Sequence, residues 1–197
     1  MKRAVFLDRD GTINAEVSYI GDPSGIRLEP GAAKGLRRLD RAGFLLVVVS
    51  NQSGVARGLH TEDDVRRVNE RLRQALAEKG VALDGFYYCP HHPEGVVPEY
   101  AKVCDCRKPA PGLLLRAAKD AEIDLGRSYA VGDYTRDLEA GRAAGVRTVL
   151  VRTGFGRQSE DDAKRLGLAD HVADDLAGAA EWIVSDAERR GSDIVDG

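Results

Sequence analysis

Short apolar runs alternate along this chain with longer stretches in which apolar positions recur every three or four residues. The runs Ala4–Leu7, Phe44–Val49, Phe86–Cys89, Tyr129–Val131 and Thr148–Val151 lack interleaved polar positions, as strands covered on both faces of a parallel sheet do. A weaker run, His171–Ala173, reads as a further strand. Between them, residues 31–41, 61–79, 111–121 and 136–144 carry helical patterns. Leu36 and Leu39 mark the inner face of the first, Thr61 is a suitable cap for the second, and a last helix carries Trp182. Strand–helix alternation of this kind predicts an α/β, Rossmann-like fold with a mostly parallel sheet and helices on both faces. Residues 1–190 are expected to form one domain and 191–197 a polar tail. The spacing between strands leaves no room for a large cap domain.

Composition narrows the class. The 197 residues are 43% hydrophobic and 31% charged with a net charge of -3, which suits one soluble domain. Basic residues are interspersed with acidic ones, so no footprint for nucleic acid emerges. The longest apolar run, Phe44–Val49, is far too short to span a bilayer, and the amino terminus lacks the apolar stretch of a secretory signal. A cytoplasmic monomer acting on a small molecule is the expectation. An odd count of three cysteines argues against a disulfide framework and for reduced thiols or a metal.

The chemistry concentrates at strand ends. The first run delivers Asp8 and Asp10 in DRDGT, with Gly11 and Thr12 as the turn beyond. Ligands of open α/β sheets bind outside the carboxyl ends of the strands, so two carboxylates there are placed to hold a hard cation and face a phosphate. One carboxylate can attack phosphorus and form an aspartyl phosphate while the other serves as general acid and then base. The plain alternative is a polar strand-to-turn junction. Ser50 and Asn51 close another strand with groups that hydrogen-bond phosphate oxygens, and Asp133 closes a third as a further carboxylate for Mg²⁺. Asp137, one helical turn on, is suited to orienting Asp133 or a nearby lysine. Arg107 and Lys108 precede the helix leading to the Asp133 strand and supply the missing cations.

Cys89 and His91 form C-x-H, followed after twelve residues by Cys104 and Cys106 as C-x-C. Two short ligand pairs joined by a loop suit a closed tetrahedral zinc site, with His92 as the alternative to His91. Zinc here would staple the loop that presents Arg107 and Lys108, without a part in the chemistry.

DRDGT, the strand ending in Ser50, Lys108 ahead of a helix, and Gly132-Asp133 followed by Asp137 together resemble the four motifs of the haloacid dehalogenase superfamily. The resemblance spans residues 5–154. It implies a Mg²⁺-dependent phosphatase with Asp8 as nucleophile, Asp10 as acid and base, and Ser50 and Lys108 stabilising the phosphoryl group. Asp8, the Asp10 backbone carbonyl and Asp133 would hold the Mg²⁺. YYCPHHPEG, CDCRKP and SNQSGVARG further resemble the superfamily's zinc-bearing sugar bisphosphate phosphatases. That likeness implies loss of the C7 phosphate from a heptose 1,7-bisphosphate, with Arg107 recognising the substrate. Glu16, Val17, Ser18 and Tyr19, together with Asn51, Gln52 and Ser53, would line the sugar site. Histidinol phosphate is the alternative substrate, its cation served by Glu16. A non-catalytic phosphosugar-binding protein and a polynucleotide 3′-phosphatase rank lower, the first because the acidic and basic set is intact, the second because the chain is acidic. Tyr134, where lysine is typical of the resemblance, bears on local electrostatics and on the choice of anomer.

Overall fold

The computed structural model describes residues 1–192. Six strands, β1 (Ala4–Leu7), β2 (Leu45–Asn51), β3 (Gly85–Cys89), β4 (Tyr129–Gly132), β5 (Arg147–Val151) and β6 (His171–Ala173), form one sheet in the order β3-β2-β1-β4-β5-β6. Every pairing is parallel. The helices are α1 (Ala32–Arg41), α2 (Glu62–Ala77), α3 (Gly112–Ala121), α4 (Thr135–Ala144), α5 (Gly156–Arg165) and α6 (Leu176–Ser192).

Period-two alternation along the strands explains their unbroken apolar character. Val5 and Leu7 join Leu46, Val48, Tyr129 and Val131 in a cluster with Leu36 and Leu39 of α1, Leu72 and Leu76 of α2, and Ile183 of α6. Ala4 and Phe6 turn the other way, with Val47, Val49 and Ala130, onto Leu113 and Leu114 of α3 and Ala140 of α4. The chain steps outward from β1 to β2 and β3, then returns to place β4 on β1's other side. The crevice at such a reversal is where this class of sheet binds ligands. The longest connections, residues 8–31 and 90–111, contain no domain of their own.

Beyond shifts of one or two residues at element ends, three features differ from the sequence reading. β2 starts at Leu45 and runs through Ser50 and Asn51, which pair in register with Tyr88 and Cys89 of β3. Helix α5 has no counterpart in the apolar pattern: among GRQSEDDAKR only Ala163 is apolar, and the buried positions are Gly156, Ser159 and Ala163. Small residues let this helix lie close to the sheet without an aliphatic stripe. Of the expected polar tail, Gly191 and Ser192 complete α6, and 193–197 lie outside the described residues. No helix among the described residues is long and apolar enough to cross a membrane.

Close packing of α1 on the start of α6 depends on Gly35, where a Cβ would sit 2.4 Å from the Leu176 carbonyl oxygen. Gly35→Ala is therefore expected to destabilise the protein by about 1–2 kcal/mol, since overpacking outweighs alanine's better helix propensity. Urea denaturation checks this, and an unchanged midpoint would mean that the two helices part freely.

Candidate active site

Four segments remote in sequence meet at the carboxyl edge of the sheet. Asp8 follows β1, and its backbone N–H donates to Val131 of β4. Lys108, 3% exposed, enters from the loop after β3. Its Nζ lies 2.7 Å from Asp8 Oδ1 and 2.6 Å from Asp137 Oδ1, and donates to the Val49 carbonyl at 2.8 Å. Burial alone would lower the Lys108 pKa, but Asp137 and Asp8 outweigh it and the net shift is upward. Asp137 thus takes up the lysine-orienting role its position suggests, while its Oδ2 accepts from the Tyr134 N–H.

Asp133, buried beyond β4, accepts from the Phe155 N–H through Oδ2 at 2.8 Å. Burial, then Asp8 and Asp137, push its carboxyl up to about 8. Gly11 and Gly154 shape the cradle around this carboxylate: a Cβ on either would fall 2.1 Å from Asp133 Oδ2, and both have positive φ, 79° and 52°. Asp8, Asp133 and Asp137 bring carboxylate oxygens within 4.8 Å of one another. Three carboxylates facing one lysine leave uncompensated negative charge, which suits a small oxygen-seeking dication.

The segment bearing Lys108 is fastened twice. Asn51 Oδ1 accepts from the Lys108 N–H and its Nδ2 donates to the Lys108 carbonyl, both at 3.0 Å. Just upstream, Cys89, His91, Cys104 and Cys106 converge: sulfur–sulfur separations are 3.2–3.5 Å and His91 Nδ1 lies 3.4 Å from Cys106 Sγ and 3.7 Å from Cys89 Sγ. These are about the edge lengths of a tetrahedron around a metal at the usual thiolate and imidazole distances. Burial raises the Cys89 thiol. His92 is not part of the cluster; its Nε2 sits 3.2 Å from Arg57 Nη2.

A cavity of about 360 Å³ opens over Asp8 and Lys108. Every residue assigned to substrate from sequence lines it: Glu16, Val17, Ser18 and Tyr19 on one loop, Asn51, Gln52 and Ser53 beyond β2, and Arg107. Tyr19 holds a left-handed backbone, φ 57°, uncommon for an aromatic residue, and is half exposed. The Gln52 amide is already engaged, donating to Ser50 Oγ at 2.7 Å and Asp10 Oδ2 at 3.2 Å.

Five lining residues had been given no role from sequence, Ile20, Gly54, Arg57, Arg136 and Phe155, and His92 had been named only as the alternative zinc ligand. Arg57 lies within the SNQSGVARG motif, so a signal was present; Arg136 had only its place at the start of α4. The Arg136 guanidinium rests 4.2 Å from the Tyr134 ring centroid, and that ring meets Phe155 edge-on at 5.9 Å. Tyr134 is therefore a shelf for an arginine. Arg57, Arg107 and Arg136 have no carboxylate ion pair among the described residues, and Arg57 Nε is buried without an acceptor. Burial lowers the Arg107 pKa, helped by repulsion from Arg136 and Arg57.

A strand-end aspartate, a lysine bridging to a second carboxylate, and a third carboxylate in a glycine cradle define a class, and the chain belongs to the haloacid dehalogenase-like hydrolases. Residues 105–179 match the family described as HAD-hydrolase-like. Two curated relatives are named D-glycero-β-D-manno-heptose-1,7-bisphosphate 7-phosphatase. The one from Yersinia pestis is 45% identical over 175 residues, covering 88% of this chain and 91% of the relative. The one from Escherichia coli (strain K12) is 51% identical over 152 residues, covering 77% and 80%. A crystal structure of D,D-heptose 1,7-bisphosphate phosphatase from B. bronchiseptica, complexed with magnesium and phosphate, matches with a TM-score of 0.82 at 34% identity, over 93% of this chain and 99% of that one.

Burial, with Asp10 and Asp8 nearby, raises the Glu16 carboxyl from 4.5 to about 7. Because the folded value exceeds the unfolded one, ionising Glu16 penalises the folded state; the penalty is absent below pH 4.5 and grows as pH rises through 7. In metal-free protein, Glu16→Gln is expected to stabilise the fold at pH 8 but not at pH 4.5. Thermal melts at both pH values test this, and a pH-independent difference would contradict it.

Proposed function

We propose that this protein is a Mg²⁺-dependent phosphatase that hydrolyses the C7 phosphate of D-glycero-β-D-manno-heptose 1,7-bisphosphate and leaves the C1 phosphate in place. The observation that carries this reading is that one cavity presents both the Asp8–Lys108 pair and three arginines without carboxylate partners among the described residues. A substrate with one phosphate to lose and another to be gripped satisfies both. Names of relatives that cover most of this chain support the heptose and its β anomer. Histidinol phosphate fits less well, because its cation would face Arg57, Arg107 and Arg136.

With Asp8 Oδ1 fixed by Lys108, Oδ2 attacks phosphorus and forms an aspartyl phosphate. Asp10 gives a proton to the departing C7 oxygen, then removes one from the water that releases phosphate and restores Asp8. The Lys108 ammonium and the Ser50 hydroxyl stabilise charge on the transferring oxygens. Asp8, the Asp10 carbonyl and Asp133 are the residues that would hold Mg²⁺, whose contribution is to neutralise the phosphate and the carboxylate that approaches it. Arg107, with Arg57 and Arg136, retains the second phosphate. Glu16, Val17, Ser18, Tyr19, Asn51, Gln52 and Ser53 form the walls around the sugar. Cys89, His91, Cys104 and Cys106 take zinc as a structural ion, which holds the Arg107–Lys108 segment in place.

The deciding assay is Mg²⁺-dependent phosphate release from both heptose bisphosphate anomers, histidinol phosphate and fructose 1,6-bisphosphate. Preference for the β-heptose with C1 phosphate retained is expected, and Asp8→Asn should abolish turnover while still binding substrate; preference for histidinol phosphate would overturn the substrate, and residual turnover in the variant the nucleophile. Cys104→Ser is expected to lose zinc, melt at lower temperature and show reduced kcat. Full zinc content in that variant, measured by atomic absorption, would remove the metal assignment.

A further inference from the structure

Arg9 stands between the two aspartates in sequence, yet its side chain is 1% exposed and does not line the cavity. Its guanidinium folds back onto its own neighbour. Nε lies 3.1 Å from both Asp10 oxygens and Nη2 lies 2.8 Å from Oδ2. Asp10 is its only carboxylate partner among the described ion pairs. Arg9 lies in the bend beyond β1, where its carbonyl accepts from the Ile13 and Asn14 N–H groups, and its guanidinium is also held from two other segments. Gln52 Oε1 accepts from Nη2 at 3.0 Å, and Asn69 Oδ1 accepts from Nη1 at 2.9 Å. Gln52 also donates to the same Asp10 oxygen that Nη2 contacts. Asn69 is the only polar residue among the buried positions of α2, which are otherwise Val65, Val68, Leu72, Ala75 and Leu76.

A buried ion pair of this kind is a poor source of stability, since desolvation cancels much of the attraction. What it does provide is orientation. The planar fork meets the carboxylate at several points and fixes its plane, where a single point charge would leave the carboxylate free to turn.

We propose that Arg9, seated by Asn69 and Gln52, is a positioning residue that holds the Asp10 carboxyl in line with the leaving oxygen. The inference rests on the phosphatase reading above, in which Asp10 is the general acid, and adds a polar chain from α2 to that acid. Removing the far tether, Asn69, deletes no group that touches substrate but frees the guanidinium, and Asp10 with it, to turn.

The test compares kcat/KM for the β-heptose bisphosphate and for p-nitrophenyl phosphate, because this constant reports the steps through ester cleavage. An alkoxide needs a proton as it leaves, whereas nitrophenolate does not. For Asn69→Leu, a roughly tenfold fall is expected with the heptose ester and less than about twofold with the nitrophenyl ester, a modest part of what general acid catalysis supplies. Arg9→Lys, which keeps the charge and loses the fork, should show the same selective fall, smaller than that of Arg9→Met. Melting curves establish that each variant is folded. Equal falls for both esters, or no fall for the heptose ester, would overturn the positioning role. Should the wild type cleave fructose 1,6-bisphosphate but not the heptose, the substrate reading alone fails and the same comparison with the fructose ester still decides the matter. A wild type that cleaves no ester would overturn both.

Discussion

The Lys108 ammonium, buried between Asp8 and Asp137, is the constraint on which the site's geometry depends. An ammonium this deeply buried is tolerable only with carboxylates at contact distance. Asp8 comes from the end of β1, Asp137 from the first turn of α4, and the Val49 carbonyl that takes a third contact from β2. One four-carbon side chain can meet all three because the sheet order places β1 between β2 and β4. Shifting any of these strands by one residue would strand the charge, so the parallel register and the catalytic constellation are specified together.

Charge of both signs is concentrated around one cavity. Burial first, and then the neighbouring carboxylates of Asp8 and Asp137, push Asp133 up to about 8. The arginines crowd one another as well: Arg107 is shifted downward first by burial and then by Arg136 and Arg57. Such repulsion costs folding stability in the free protein and is relieved on ligation, so a cation and an anion that occupy the cavity stabilise the fold as they bind. The site is strained electrostatically in the way that functional sites commonly are.

Much of this was legible in the sequence where a periodic signal met a chemical one. Asp8, Ser50 and Asp133 each close an apolar run, which alone places them at one edge of a sheet. The four metal-type ligands were legible by spacing, although only geometry separates His91, inside the cluster, from His92, beside Arg57. Partners were harder to read than positions. Asn51 and Gln52 were read as groups for a substrate, yet their amides are taken up by the Lys108 backbone and by Arg9, Ser50 and Asp10. Arg136 was hidden by abundance, since arginines on a charged surface carry no pattern that marks the few turned toward a cavity, whereas Arg57 sat within the SNQSGVARG motif without being given a role. Helix α5 was invisible because small buried residues, unlike leucines, leave no trace in hydropathy.

The two walls of the cavity are built differently. The wall bearing Arg107 and Lys108 is pinned by Asn51, by the ion pairs and by the thiol–imidazole cluster. The facing residues Glu16 to Tyr19 form a loop in which Val17 and Tyr19 stand about half exposed. Substitutions in the first wall disturb the chemistry, whereas the second can be rewritten with little cost to the fold. After gene duplication, descendants of such a protein can exchange one phosphorylated metabolite for another by editing a handful of loop codons while inheriting the reaction unchanged.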